Sequence, residues 1–433
     1  MTRRNILYIH SHDTGRYISP FGHDVPTPNI QRLAEQGILF RQNHCAAPTC
    51  SPSRAALLTG QYAHASGMLG LAHRGFALND YRQHIIHTLG RVGYRSALAG
   101  IQHVAAEADP IGYDEMLAVA SSHAEHVAPA ACEFLHTCPQ EPFFLSVGFF
   151  ETHREYPTPG PEDDPRYTLP PAPVPDTPET REDFTAFKAS ARRFDWGVGQ
   201  VLDALDGAGL AGNTLVICTT DHGVAFPRMK CNLTDSGTGV MLIVRGPGGF
   251  SGGRVCDALV SHVDLFPTVC DLLEIEPPEW LQGTSLMPLV RGEAEEVRDE
   301  VFAEVTYHAA YEPQRAVRTR RWKYIRRFDG REAPVLPNCD DSPSKDVWMR
   351  LGWQDRPPSR EQLFDVVFDP AESNNLATDP SLAEVLQDMR ARLERWMHET
   401  GDQLLDGPVP APRGARVNDA DGVSPRETPL VVK

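Results

Sequence analysis

The chain has 433 residues, 41% of them hydrophobic and 8% aromatic, which suits one large α/β domain plus a smaller one and excludes a disordered chain. Its 41 basic and 58 acidic side chains give a formal charge of −17, which excludes general affinity for nucleic acid or anionic membranes and confines any anion-binding charge to a few cations in a pocket. No stretch is apolar for the length of a spanning helix, and the run at residues 6–9 is too short for a secretory leader, so a cytoplasmic location is expected.

In chain order, residues 5–10 read as a buried strand that runs into the polar turn Ser11-His12-Asp13-Thr14-Gly15. A helix follows from about Pro28 to Gly37, and a second begins at Cys50, with Pro52 suited to a first turn. A third helix is predicted over 81–92 and a strand over 94–99, leading into Gly100-Ile101-Gln102-His103. The apolar run 143–150 reads as a central strand ending at Glu151-Thr152-His153, and the proline-rich, acidic stretch 158–177 as a surface excursion. A long amphipathic helix is predicted over 181–205, then a strand over 214–220 that meets Asp221-His222-Gly223, a strand over 240–244 and a helix over 263–273.

Beyond residue 300 the texture changes to short strand-like runs (301–305, 315–318 and 323–327), one helix over 382–398 and a Pro/Gly-rich tail. The expectation is therefore an α/β catalytic domain, residues 1–300, with a mostly parallel sheet flanked by helices. A smaller subdomain, residues 301–433, follows with an antiparallel sheet. Nine cysteines (45, 50, 132, 138, 218, 231, 256, 270 and 339) are scattered without CxxC spacing, and read as reduced thiols rather than a disulfide framework or a zinc site.

Four strand ends deliver His12-Asp13, His103, His153 and Asp221-His222 to one edge of a parallel sheet. A single histidine after a strand is ordinarily a satisfied loop residue, and Asp-His-Gly is a common turn. Their convergence is what a metal-assisted hydrolase of an anionic ester needs.

The run Cys50-Ser51-Pro52-Ser53-Arg54 followed by Leu58-Thr59-Gly60 is more specific. Here the chain resembles the type I sulfatases of the alkaline phosphatase superfamily, whose signature is Cys-x-Pro-Ser-Arg with Leu-Thr-Gly. The resemblance extends over nearly the whole chain, from residues 5–15 to the stretches at Arg321-Trp322-Lys323-Tyr324 and Asn375-Leu376. It implies the alkaline-phosphatase-like fold and the hydrolysis of sulfate esters or sulfamates, on a sulfated or N-sulfated sugar. It also implies a nucleophile made when a formylglycine-generating enzyme oxidises Cys50 to formylglycine. One hydroxyl of the hydrated aldehyde attacks sulfur, and the other lets the sulfate be expelled by re-forming the aldehyde. Further implications are a divalent metal held by Asp13, Asp221, His222 and His12, a nucleophile positioned by Arg54, a sulfate contact at Lys230, and acid and base roles for His153 and His103. His308, in the run Glu304-Val305-Thr306-Tyr307-His308 where the small domain is expected to reach the substrate pocket, reads as a specificity residue.

Two positions depart from the family pattern. His12 stands where the family carries an aspartate, and Ile101 where it carries a sulfate-binding lysine. Calcium is the family's ion, but two imidazoles suit manganese or zinc, and a water in place of His12 is the alternative. Lys230, Arg74 and Arg228 are the candidates to replace the missing cation. Rival readings are a phosphonate monoester or phosphodiester hydrolase of the same superfamily and a non-catalytic sulfate- or sugar-binding homologue.

Overall fold

In the first strand, β1 (Asn5–Ser11), Ile6 and Tyr8 point to one face and Leu7 and Ile9 to the other, and all four are buried. A strand buried on both faces needs helices on both sides. The computed structural model describes residues 4–137 and 142–433 and places β1 inside an eight-stranded sheet. The others are β2 (Ile38–His44), β3 (Arg95–Gly100), β4 (Glu115–Leu117), β5 (Phe143–Gly148), β6 (Thr214–Thr220), β7 (Leu242–Arg245) and β8 (Arg254–Ser261), in the order β4-β3-β5-β1-β6-β7-β2-β8. Only β7 runs against its neighbours β6 and β2. Helices Ala124–His136 and Pro178–Gly207 cover the Leu7/Ile9 face, and Cys50–Thr59 and Leu265–Leu273 cover the Ile6/Tyr8 face.

A second sheet follows: β9 (Glu300–Tyr307), β10 (Tyr311–Thr319), β11 (Trp322–Arg327) and β12 (Glu361–Asp365), all antiparallel in the order β12-β11-β10-β9. Phe302, Val317, Tyr324 and Leu363 pack against Leu386, Met389, Leu393 and Trp396 of helix Ala383–Thr400. Ala303, Val305, Ala316 and Ile325 form a second cluster with Leu233, which draws the loop after β6 against the small sheet.

Three differences from the sequence reading stand out. The helix expected over 81–92 is two pieces, a 3-10 turn Tyr81–Gln83 and the helix Ile85–Arg91, because His84 is extended and its side chain accepts from the Ile86 N–H. β2 and β8 were not expected; exposed Arg41 interrupts the apolar pattern of one, and Arg254, Val255 and Asp257 leave half of the other in solvent. Helix Ala124–His136 forms in spite of Pro129 inside it, which hid it from propensity. The eight cysteines among the described residues are unpaired, as expected; Cys138 lies outside those residues. No helix among the described residues is long and apolar enough to cross a membrane.

Candidate active site

The C-terminal ends of β1, β3, β5 and β6 gather at one edge of the large sheet, where open parallel sheets bind ligands. Cys50 is the first residue of a ten-residue helix that is buried along its whole length and ends on Gly60, whose φ of 69° lets the chain turn left-handed. The free N–H groups of that first turn favour an anion beside Cys50.

Asp221 organises the centre. Its Oδ1 accepts the backbone N–H groups of Asp13 (2.8 Å) and His222 (2.9 Å), and its Oδ2 accepts from Arg54 (2.9 Å). Burial works against its charge, but His222, Arg54 and His12 outweigh burial and hold the carboxyl well below the usual range. His12 Nδ1 lies 3.2 Å from Asp221 Oδ2, within ion-pair distance but outside hydrogen-bond geometry. His222 Nδ1 bonds to the Gly223 carbonyl at 3.0 Å; its Nε2 then faces Asp13 Oδ1 at 3.3 Å, Asp221 Oδ2 at 3.7 Å and Cys50 Sγ at 3.3 Å. Ligand atoms of His12, Asp13, Cys50 and Asp221 all lie within 4.8 Å of one another.

Arg54 is 2% exposed and also donates to the Ser11 carbonyl (2.7 Å) and to His10 Nδ1 (2.5 Å). Burial, and then Arg54 itself, push His10 well down, so its Nδ1 stays a neutral acceptor. His10 was not singled out from sequence, although an imidazole directly after the apolar run Ile6–Ile9 and inside the strand was the available signal.

Lys230, the expected sulfate cation, is paired at 3.0 Å with both Asp13 Oδ2 and Asp340 Oδ2. Asp340, also missed from sequence, is held low: burial opposes its charge, but Lys230, His153 and His308 outweigh it. His308 is buried, with Nδ1 lacking a partner, and burial, followed by Lys230, pushes it well down. His153 Nδ1 bonds to the Arg154 carbonyl, leaving Nε2 free of that bond, and its ring sits 5.7 Å from that of His12. Arg154 anchors this loop through a two-pronged pair with Asp183 (2.7 and 2.8 Å). His103, with a φ of 54°, brings a ring nitrogen within 4.8 Å of ligand atoms of His12 and Cys50. Of the proposed substitutes for the missing cation, Arg74 is bonded to Asn418 and the Pro425 carbonyl, and Arg228 to the Glu372 carbonyl.

Residues 4–275 match the family model "Sulfatase", and residues 229–345 match "N-sulphoglucosamine sulphohydrolase, C-terminal". The chain is 31% identical to the N-sulphoglucosamine sulphohydrolase of Homo sapiens, over 94% of this chain and 92% of that protein. It is 26% identical to a delta 4,5-hexuronate-2-O-sulfatase of Bacteroides thetaiotaomicron, over 98% and 95% respectively. The fold matches a structure solved with its substrate D-glucosamine-2-N,6-O-disulfate, with a TM-score of 0.74 at 18% identity, over 93% of this chain and 99% of that one.

Proposed function

The chain belongs to the sulfatase family, and from that premise we propose that it hydrolyses sulfate esters or sulfamates of a saccharide with a formylglycine nucleophile formed from Cys50. The observation that carries this reading is the seat of Cys50: the N-terminus of a buried helix, with His222 Nε2 at 3.3 Å and the donors of His12, Asp13 and Asp221 within 4.8 Å. Cys50 Sγ stands here for the diol oxygens of the hydrated aldehyde.

The donor set fits a divalent cation. Both ring nitrogens of His12 and Oδ1 of Asp13 are buried without a hydrogen-bond partner. The Gly223 carbonyl takes the Nδ1–H of His222, so in the neutral ring the Nε2 lone pair faces two carboxylates, an arrangement that a cation relieves. Asp13, Asp221, His222 and His12 would hold the ion, which when bound supplies a Lewis acid that favours the ionised hydroxyl and polarises the sulfate. Two imidazoles beside two carboxylates suit manganese or zinc better than calcium.

In the proposed reaction one diol oxygen attacks sulfur, and the bond from sulfur to the sugar oxygen or nitrogen breaks. Protonated His153 hands its Nε2 proton to that leaving atom, and the Asp340 carboxylate stabilises the imidazolium that this requires. His103 then takes the proton of the second hydroxyl. The carbonyl re-forms, sulfate departs, and water restores the diol. Arg54 holds the nucleophile's side of the site, Lys230 contacts sulfate, and His308 faces the sugar.

Mass spectrometry of the Cys50 peptide, from protein co-expressed with a formylglycine-generating enzyme, tests the nucleophile. An aldehyde or its hydrate at Cys50 is expected. Fully active protein with an unmodified thiol would overturn the reading.

A further inference from the structure

We propose that His73 is a positioning residue for His103, and that the C-terminal tail seats it. The inference rests on the reading of His103 as the base acting on the Cys50-derived diol. His73 Nδ1 lies 2.9 Å from His103 Nε2. The ring planes differ by 15° and the centroids are 5.1 Å apart. A nitrogen contact that short between nearly coplanar rings at that centroid separation is an edge-to-edge N–H···N bond, not a face-to-face stack.

The bond has a consequence on the far side of His103. That ring's Nδ1 is buried and has no hydrogen-bond partner. A neutral imidazole carries one proton, so the partner of Nε2 decides what Nδ1 presents. With Nε2–H donated to His73, Nδ1 offers a lone pair to the site, which is the form a base requires. His73 is exposed on one side, but partial burial, followed by Arg74 and Arg416, pushes it down to about 4, and the neutral ring this leaves can accept that proton. The backbone of His103, at a φ of 54°, is in a region that non-glycine residues seldom occupy, and its ring takes support from outside its own loop through the His73 bond.

That support comes from the other end of the chain. Arg416 donates to the His73 carbonyl oxygen. Arg74 donates to Asn418 Oδ1 at 2.6 Å and to the Pro425 carbonyl at 3.2 Å. Gly75, at a φ of 95°, lies so close to the tail that a Cβ would sit 3.0 Å from the Ala415 Cα. The Pro/Gly-rich tail thus clasps the loop that carries His73.

Matured full-length protein should be compared with His73→Phe, which keeps a flat ring without the nitrogen, and His73→Asn, which keeps a polar atom near the Nδ1 position. The expected result for His73→Phe is a kcat lower by about 10- to 100-fold with little change in KM and an unchanged melting temperature. His73→Asn should recover most of the loss. Arg416→Ala should lower kcat in the same direction, and add nothing on top of His73→Phe. Wild-type kcat in His73→Phe, or equal impairment in the Asn and Phe variants, would overturn the positioning role while leaving the sulfatase reading intact. His103→Ala is the control that separates the two: if it retains wild-type kcat, the base assignment itself is wrong and the role of His73 falls with it.

Discussion

His222 presents Nε2 to Asp13 Oδ1 at 3.3 Å while its Nδ1 is committed to the Gly223 carbonyl. With that ring neutral, two electron-rich atoms face each other in a buried site, an arrangement that a cation between them relieves. Chelation is therefore predicted to lower the melting temperature as well as abolish turnover, since an ion that binds only the native state stabilises it. Manganese or zinc should bind more tightly than calcium, by titration calorimetry on the metal-free protein, and His12→Asp should move the preference toward calcium. A wild-type protein that selects calcium, unaffected by His12→Asp, contradicts the ligand assignment of His12.

Arg54 spends its guanidinium on three acceptors at once, His10 Nδ1, the Ser11 carbonyl and Asp221 Oδ2. A lysine keeps the charge but cannot span that fork. Arg54→Lys should lower kcat by about 10²- to 10³-fold. Steady-state kinetics decide this, and a loss confined to KM would mean that Arg54 acts only in binding.

In the proposed mechanism the Asp340 carboxylate, whose charge interacts with that of His153, balances the leaving-group acid. Asp340→Asn should therefore slow substrates with poor leaving groups far more than activated aryl sulfates, whose leaving oxygen needs little protonation. Equal losses on both classes would assign Asp340 to holding Lys230 instead, through their 3.0 Å pair.

Glu304 joins the two sheets' surroundings from β9: it accepts from the His64 backbone and ring (3.1 and 2.9 Å) and pairs with Arg315 at 3.2 Å. Burial opposes its charge, but His64 and Arg315 outweigh it and hold the carboxyl below the ordinary value of 4.5. Such a group binds fewer protons folded than unfolded, so its stabilisation is fully present above about pH 4.5 and drains as the pH falls below it. Glu304→Gln should cost about 3 kcal/mol at neutral pH and much less in acid. Denaturant melts at both pH values check this; an undiminished cost in acid would point to lost packing rather than charge.

Much of this arrangement is legible in the sequence for a physical reason. Ile6 to Ile9 are apolar without interruption and Phe143 to Val147 are apolar but for Ser146, so they read as buried strands, and the polar residues that stop them mark the ligand edge. The strand-end residues could be found that way, and Cys50 and Arg54 through the Cys-x-Pro-Ser-Arg run that resembles the family signature. His73 and Asp340 could not, because they sit in a short 3-10 turn and a loop whose sequences carry no period, and only tertiary packing brings them to His103 and Lys230. The same holds for β2, where Arg41 and Gln42 break the pattern of a strand that lies near the sheet's edge.

The central claim is that Cys50, once converted, attacks sulfur. Its most direct test is turnover by the matured protein, supplied with each divalent ion, on matched sulfate esters, sulfamates and phosphonate monoesters, with Cys50→Ala alongside. Release of sulfate from the sulfur compounds, greatly exceeding phosphonate turnover and absent in Cys50→Ala, is the predicted result. A strong preference for the phosphonates, or sulfate release that survives Cys50→Ala, would contradict it.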